Sequence, residues 1–590
     1  MRQADMRSLM QTRCWLTLAA TLLASATLLA DDTLTRLVPA DVGICLELHD
    51  LAQQADEFAS GPLFARWQAF PPLALWNEKN LPALQKIFAE IDRQLGVEVS
   101  DAWQHALGRR SLLAVWPPQA GDPVPTQGLL LVEADDELLI PRLLDGLRRA
   151  QEQAGELSSF REEVFAGAAY RVHSVQRGGT QSQIYLAAAG RLGVLASHEH
   201  LMRRVLELRA GVPAKAPDLA ASAAYRAASA CLEPGACVRL FVNPRAWDAA
   251  LQSIPPSSNR QEARSQEMLK SGWSAMRFAA SSLRLTPHPT WEFFVQCDGL
   301  PAASPLADLL DSFSGAAGFL ERVPADCLLA IALQVDVRRL MRRVAMLETG
   351  ADEANERPNG AQVVWNLLDQ LLAGAGPGAG AALLPAGGES RDWPFDLILG
   401  IQTRSRPEAA RQPSDDNLHE TLRTLLLLAA ALQSLQPDAL AAEVRTVQEK
   451  ERKFTQVTQV KSLPAEMTAT FALVGNHLLF GTSLDCVARA ADLPRAESLV
   501  AASPSVKRAG KRIEGPGQIV YVNFAAGRRF VKAHAERLAA RVAESKGIPA
   551  EMATLGLNQL HAVLELADEA LFAARIDRTG IAVTATLSAE

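Results

Sequence analysis

The sequence lacks the features that mark several functional classes. Its 59 Lys and Arg residues face 66 Asp and Glu, a net charge of −7, so the basic excess typical of a nucleic-acid surface is missing. After the N-terminus no apolar run has the length of a transmembrane helix, and the most apolar stretch, residues 424–432, is bounded by Arg423 and Gln433. With 48% hydrophobic and 21% charged residues, the chain has enough apolar material for packed cores. We predict a globular protein without a nucleic-acid partner.

Cysteine is scarce. Six cysteines follow residue 30, too few in a chain of this length for a disulfide scaffold: Cys45, Cys231, Cys237, Cys297, Cys327 and Cys486. Cys231 and Cys237 are the candidate disulfide, because the intervening Leu-Glu-Pro-Gly-Ala contains a turn signal. The alternative is two separate buried thiols, since unpaired cysteine is also among the most buried residue types.

Recognisable catalytic and cofactor motifs are missing as well. The sequence has no GxSxG nucleophile motif, and its glycine run at 374–380 lacks the Lys-Ser/Thr of a phosphate-binding loop. The trio His198-Glu199-His200 lacks the i, i+4 spacing that places two zinc ligands on one helix face. Ser197 and Ser483 are interpreted as residues that begin helices. We therefore predict no cofactor and no metal, and leave the catalytic residues unknown, because active-site residues usually come from distant positions.

The N-terminus has the pattern of an export signal. Arg2, Arg7 and Arg13 precede the uncharged run 16–30, which ends in small residues suited to cleavage near residue 26 or 30. Fifteen helical residues span about 22 Å, less than the ~30 Å of a bilayer core. We expect cleavage and a periplasmic or extracellular mature chain of net charge −9, since residues 1–30 hold three Arg and one Asp. The alternative is an uncleaved membrane anchor.

Several short sequence motifs occur twice, in the same order and at a nearly constant distance along the sequence. Val-Pro-Ala-Asp precedes an apolar run at Pro39 and again at Pro324, 285 positions later. Gly190 and Gly475 head matching phrases at the same offset, and Asn243 corresponds to Asn523 at 280. The period is far longer than a solenoid repeat. We predict two tandem homologous halves, 31–300 and 321–590, joined by a connecting segment at 301–320.

The predicted elements favour an α+β class with mainly antiparallel sheets and packed helices. In the first half, short turns join several strands, such as 184–189 and 192–196 around Gly190, whereas helices occur only between groups of strands. Val238 to Val242 is another predicted strand. In the second half, 562–576 and 581–587 are the expected last strands, while 374–388 and 404–417 have the composition of loops.

The Val-Pro-Ala-Asp opening, the glycine turn before an apolar strand and the Ser-x-Asp/Glu helix start resemble secreted or membrane-anchored bacterial proteins of the domain-of-unknown-function family numbered 3352. The resemblance covers most of residues 35–590. It implies an exported envelope protein and brings no catalytic residues with it.

Together these observations predict a non-enzymatic interaction or scaffold protein of the bacterial envelope, whose partner is an envelope protein. One alternative is an exported hydrolase with dispersed active-site residues. Another is a lipid- or small-molecule-binding protein that uses a cleft between sheets. Membrane association is expected only if the N-terminal segment is uncleaved, and the oligomeric state is left open.

Overall fold

The computed structural model describes residues 34–118, 127–177, 179–212, 217–255, 257–300, 305–315, 318–336, 375–386, 393–403, 443–450, 452–458 and 467–589. The expected signal segment at 1–30, the apolar run at 424–432 and the expected loop at 404–417 lie outside these residues. The chain divides into two compact units, Met1–Gly299 and Leu300–Glu590.

Unit one is built on ten antiparallel strands. They are β1 (Ile44–His49), β2 (Arg110–Trp116), β3 (Gln127–Glu133), β4 (Leu157–Phe165), β5 (Ala168–Arg177), β6 (Thr180–Ala189), β7 (Leu192–Ala196), β8 (Val238–Val242), β9 (Met276–Arg284) and β10 (Thr290–Cys297). Their pairing order is β4-β5-β6-β7-β3-β2-β1-β8-β9-β10. Gly190, at φ 63°, supplies the left-handed residue of the tight β6–β7 turn.

Helices connect these strands and cover the sheet. They are α1 (Leu51–Ala59), α2 (Pro62–Ala69), α3 (Pro71–Leu95), α4 (Val99–Ala102), α5 (Leu139–Gln153), α6 (Glu199–Arg209), α7 (Ala223–Cys231), α8 (Asp248–Gln252) and α9 (Arg260–Ala275). The main core lies where α6 and α7 pack on the sheet, and it includes Leu131, Met202, Val205, Tyr225 and Phe241.

Unit two also has ten antiparallel strands. They are β11 (Leu329–Gln334), β12 (Ala375–Pro385), β13 (Phe395–Thr403), β14 (Glu443–Glu449), β15 (Arg452–Thr458), β16 (Ala469–Val474), β17 (His477–Gly481), β18 (Gln518–Asn523), β19 (Glu569–Asp577) and β20 (Gly580–Ser588). Their order is β14-β15-β16-β17-β13-β12-β11-β18-β19-β20. Counted from its first strand, unit two pairs its strands in the same order as unit one.

The described helices of unit two are α10 (Pro305–Asp311), α11 (Leu484–Asp492), α12 (Leu499–Ala502), α13 (Pro504–Ile513), α14 (Phe524–Lys546) and α15 (Ala550–Leu564). Ser483 caps α11, because its side chain accepts a hydrogen bond from the Cys486 backbone N–H. Within the described parts of the chain, no helix combines the length and apolarity needed to cross a bilayer.

The predicted α+β class with antiparallel sheet is confirmed, and β7 and β8 have the predicted bounds. One expected loop is wrong: residues 375–385 of the stretch 374–388 form β12. Gly380 of β12 pairs with Gly400 of β13, and the Phe319 ring lies so close that a Cβ at either glycine would overlap it. Glycine therefore makes room here for a side chain from another segment and does not mark a turn.

A second expectation needs correction at the end of the chain. The strand expected at 562–576 begins only at Glu569, because residues 562–564 belong to α15. Here an apolar run continues from a helix into a strand. In such a run the helical period of about 3.6 residues and the strand period of 2 cannot be told apart, so the sequence does not show where the helix ends.

Candidate functional site

A row of polar side chains crosses the buried face of unit one. Glu47 of β1 pairs with Arg239 of β8, Arg239 pairs with Ser282 of β9, and Ser282 pairs with Glu292 of β10. Residues directly opposite each other in antiparallel strands share a face of the sheet. These four side chains, called the polar row below, therefore line up on one face.

Glu47 is held by neighbours on a strand and on a helix. The Tyr225 hydroxyl of α7 donates to Glu47 Oε1 over 2.6 Å, and His49 Nε2 lies 3.2 Å from Glu47 Oε2. Burial raises the pKa of the Glu47 carboxyl, but the hydrogen bonds from His49 and Tyr225 and the positive charges of His49 and Arg239 outweigh it, so its pKa lies below the ordinary value. Glu47 is therefore a buried carboxylate that carries its charge.

The other carboxylate of the row is equally well enclosed. Glu292 Oε2 accepts hydrogen bonds from the Glu233 backbone N–H over 2.9 Å and from Ser282 Oγ over 3.1 Å. Arg239 stands between the two carboxylates, and among the described residues its buried Nε has no hydrogen-bond partner. Buried charges persist when they are paired or hydrogen-bonded: the Arg239 charge lowers the pKa of Glu47, and the Glu233 N–H and Ser282 hydroxyl hold Glu292.

The corresponding row of unit two is nearly free of polar groups. Its members, at the same positions of the strand order, are Ala332, Ile519, Ala573 and Thr584. The same strand pairing therefore forms without buried charges. In unit one, Glu47 is 4% exposed, Tyr225 3% and Glu292 1%, so a substrate does not reach these carboxylates. The hydrogen bond from Tyr225 to Glu47 positions α7 on the sheet.

A second polar cluster surrounds Tyr170. Its hydroxyl oxygen lies 2.5 Å from Glu163 Oε2 and 2.9 Å from Glu199 Oε1. Arg161 pairs with Glu163, and Arg203 pairs with Glu199. Burial and the hydrogen bonds to both carboxylates raise the pKa of Tyr170 to about 12. The phenol therefore stays protonated at neutral pH, and both carboxylates already have cationic partners.

The members of the histidine trio belong to two different sets of contacts. His198 directly precedes α6, its Nδ1 lies 2.8 Å from Ser197 Oγ, and the rings of His198 and His200 are 5.6 Å apart. Glu199 belongs to the Tyr170 cluster instead. Within the part of the chain that the structure describes, no group of three or more His, Cys, Asp or Glu side chains could hold a metal ion.

Ser197 has a role other than the expected helix start. Its Oγ accepts from the Gly128 backbone N–H over 2.8 Å and so joins the end of β7 to β3. In unit two, Thr482 Oγ1 accepts from the Leu397 N–H over 3.0 Å at the corresponding place. Each hydroxyl completes a sheet hydrogen bond just beyond the ladder, which is a structural role.

The candidate disulfide residues lie at either end of a short connection. Cys231 is the half-buried last residue of α7, and Cys237 is fully buried just before β8, next to Leu48 and Leu51. Burial raises the pKa of Cys237 to about 12. The pairing of Cys231 with Cys237 stays a prediction.

An apolar surface is exposed on the last helical pair of unit two. Helices α14 and α15 form an antiparallel hairpin, called the helical arm below. Four large side chains of α15 make up the apolar stripe: Met552, 60% exposed, Leu555, 57%, Leu560, 44%, and Val563, 39%. At about 100° per residue these positions fall within one arc of about 140°. They form one side of the helix, which they share with the exposed, uncharged Gln559.

The base of the arm is fixed to unit two. Gly527 allows close packing against Leu564, because a Cβ there would lie 3.0 Å from a Leu564 methyl group. Arg528 Nη1 donates to the carbonyl oxygens of Leu564 and Ala567, and its guanidinium pairs with Asp568. At the other end, Gly547 ends α14 at φ 62°. Helix α14 holds 23 residues and is kinked at His534, whose backbone angles are non-helical (φ −121°, ψ 15°).

The arm is basic although the chain is acidic. Residues 524–564 contain six Lys and Arg against three Glu, a net charge of +3, whereas the whole chain carries −7. Its exposed cations are Arg529, Lys532, Arg537 and Lys546, and none of these four forms an ion pair within the described residues. The sequence reasoning missed the arm. The signal was present in the spacing of residues 552, 555, 560 and 563 and in the near absence of charge from 552 to 564.

Helix α3 of unit one also exposes apolar side chains, among them Leu75, 67% exposed, and Trp76, 54%. No residue of α3 is fully buried. Its Lys and Arg balance its Asp and Glu at three each, so α3 lacks the charge that distinguishes the arm.

No family model, curated protein or solved structure matches the chain. Glu47 and Glu292 of the polar row are closed to solvent, and each carboxylate of the Tyr170 cluster pairs with an arginine. The arm presents uncovered apolar and cationic groups to solvent.

Proposed function

We propose that this protein is a non-enzymatic interaction or scaffold protein of the bacterial envelope, and that it meets its partner through the helical arm. The observation that carries the proposal is the uncovered apolar stripe of Met552, Leu555, Leu560 and Val563. Burying a large aliphatic side chain contributes roughly 1.5–3 kcal/mol. Contiguous exposed apolar surface on a soluble domain is typical of an interaction site.

The polar clusters favour binding over catalysis. A general acid or base must come within hydrogen-bond reach of its substrate, and Glu47 and Glu292 are enclosed by protein. Glu163 and Glu199 have arginine partners, and Tyr170 lies between them. These carboxylates organise helices α6 and α7, so the described residues do not favour the hydrolase alternative.

Export is part of the proposal. The cationic start and apolar run of residues 1–30 support secretion, which would leave an acidic mature chain in the periplasm or outside the cell. The resemblance to the family numbered 3352 supports the same location.

We also propose that the two units arose by tandem duplication. The shared strand order supports this, as do several equivalent details. Pro39 and Pro324 each form an isolated bridge just before the first strand of their unit, and Gly190 and Gly475 have φ values of 63° and 60°. An experimental structure in which residues 35–299 superimpose on 320–590, strand for strand, is the expected result. Unrelated strand paths would contradict the duplication.

The interaction proposal is tested by association of the tagged mature chain, residues 31–590, with the envelope fraction. Leu555→Gln combined with Leu560→Gln removes half of the stripe and should reduce association at least tenfold. The matched control is Asn558→Ala, on the polar side of the same helix, which should bind like the wild type. Equal association of all three proteins would contradict the proposal, as would turnover of a member of a hydrolase substrate panel.

A further inference from the structure

We propose that the partner of the helical arm is an anionic phospholipid bilayer, with the apolar stripe entering the interface and the exposed cations facing the headgroups. This inference rests on the proposed function, because it names the partner of the same surface. It departs from the sequence-based expectation that only an uncleaved N-terminal segment brings the protein to a membrane.

Helix α15 has two different sides. Its apolar stripe occupies one arc, where Gln559 is the polar but uncharged residue, and the opposite arc carries Glu551, Thr554, Asn558 and His561. Between residues 552 and 564 no Lys, Arg, Asp or Glu interrupts the helix. A helix of this kind can lie in the plane of a bilayer with its apolar side below the headgroups, and no charged side chain has to enter the apolar layer.

The charge of the arm is complementary to an anionic surface. Arg529, Lys532, Arg537 and Lys546 of α14 are exposed and without ion pairs in the described part of the chain. An acidic protein is repelled by an anionic surface, so the arm with its +3 charge is the part that would approach such a surface. Helix α3 exposes similar apolar groups with balanced charges and lacks this selectivity.

A second copy of the chain is the simplest alternative partner, and the charge of the arm disfavours it. An isologous contact brings the same surface of both subunits together. Stripe-to-stripe pairing would therefore place two arms of charge +3 against each other. That repulsion disfavours self-association, whereas the same charge favours anionic lipid.

The fixed base of the arm makes docking possible without unfolding. Arg528 ties α14 to Leu564, Ala567 and Asp568 at the sheet end. The stripe runs along α15 from Met552, near the Gly547 turn, to Val563, beside the base. Contact with a bilayer can thus bury the stripe while the sheet of unit two keeps its structure.

The experiment is vesicle co-sedimentation with the mature chain, residues 31–590, which lacks the N-terminal apolar run. Vesicles of phosphatidylcholine alone are compared with vesicles containing 30% phosphatidylglycerol. We expect binding to the anionic vesicles, weakened by high salt, and little binding to the neutral ones. Lys532→Gln with Arg537→Gln should weaken binding roughly thirtyfold, and Leu555→Gln with Leu560→Gln at least tenfold. Asn558→Ala should stay within twofold of the wild type.

Insertion of the stripe is read out separately. The arm contains no tryptophan, so Leu555→Trp adds a reporter whose fluorescence brominated lipid should quench on binding, with Asn558→Trp as the matched, unquenched control. Circular dichroism and thermal unfolding show that each variant is folded. Because every substituted residue is exposed, we expect unchanged unfolding temperatures.

The outcomes separate this inference from the proposed function. Absence of binding to anionic vesicles, or equal binding of wild type and both double variants, overturns the lipid assignment. If the stripe variant still loses association with the envelope fraction in that case, the proposed function stands and the partner is a protein. Stripe-dependent dimers in light scattering, without vesicle binding, also overturn the lipid assignment. If the stripe variant associates with the envelope fraction like the wild type, both the proposed function and the lipid assignment fail.

Discussion

The hydroxyl of Tyr225 donates to the buried Glu47 carboxylate over 2.6 Å, which joins α7 to β1 across 178 residues of sequence. The pair lies at one end of the polar row, next to His49 and Arg239. A carboxylate enclosed in this way depends on its donors, because water does not replace one that is lost.

Tyr225→Phe should therefore destabilise unit one by about 1–3 kcal/mol, the cost of leaving a buried acceptor without its donor. Urea unfolding followed by tryptophan fluorescence measures it, since seven of the ten tryptophans lie between residues 67 and 291. The control is Tyr185→Phe, whose hydroxyl donates to Gln183 at a less enclosed site. Equal losses for the two variants would contradict the importance assigned to the Glu47 contact.

Glu47 should also make the stability of unit one depend on pH. Its pKa is lower in the folded protein than in the unfolded chain, so its charge stabilises the fold above the unfolded value of about 4.3. This contribution is lost as the pH falls through the folded value. We expect the stability difference between wild type and Glu47→Gln to be largest near pH 7 and to shrink towards pH 3. Urea unfolding at both pH values measures it.

The control for this pH effect is Glu57→Gln, at an exposed position of α1, which should change stability by less than about 0.5 kcal/mol. A difference between wild type and Glu47→Gln that stays constant from pH 7 to pH 3 would show that the Glu47 charge does not stabilise the fold.

Ser197→Ala and Thr482→Val should each loosen the same place in their unit. Each removes the oxygen that accepts from a strand N–H, Gly128 in one case and Leu397 in the other, at a cost of about 1 kcal/mol. Hydrogen exchange followed by mass spectrometry should show faster exchange in peptides covering β3 and β13 respectively. Ser253→Ala is the control, because that hydroxyl bonds only the carbonyl of Ala250 nearby. Unchanged exchange in both peptides would contradict the shared role.

The buried thiols should resist alkylation in the folded protein. Burial raises the pKa of Cys237 and of Cys327 to about 12, so few thiolates form at pH 8. After reduction, iodoacetamide at pH 8 should modify the half-buried Cys231 and Cys297 first, and the other two only in denaturant. Peptide mapping identifies the modified sites. Early labelling of Cys237 would contradict its burial.

The candidate disulfide needs a separate measurement, because alkylation follows reduction. A peptide map of the exported chain without reductant tests whether Cys231 and Cys237 are joined. A linked peptide would support pairing in an oxidising compartment, and two unlinked peptides would favour separate thiols.

The sequence predicted a strand correctly where the residues that define the strand and its turn lie in one short segment. Strand β7 and its turn at Gly190 were predicted because a glycine divides two apolar runs, and β8 has the predicted bounds as well. The same reasoning was wrong for β12. Glycine usually signals a turn, but in β12 it accommodates Phe319, which comes from a 3₁₀ helix far along the chain.

The sequence by itself determined the α+β class, the repeated order of its phrases and the absence of the motifs considered, because each of these depends on neighbouring residues. Only the tertiary structure decided where the polar row and the uncovered stripe lie. The row joins residues from 47 to 292 through strand register, which no local spacing reveals. The period of α15 predicts an apolar side, but whether that side is buried depends on what packs against it, and packing is a property of the whole fold.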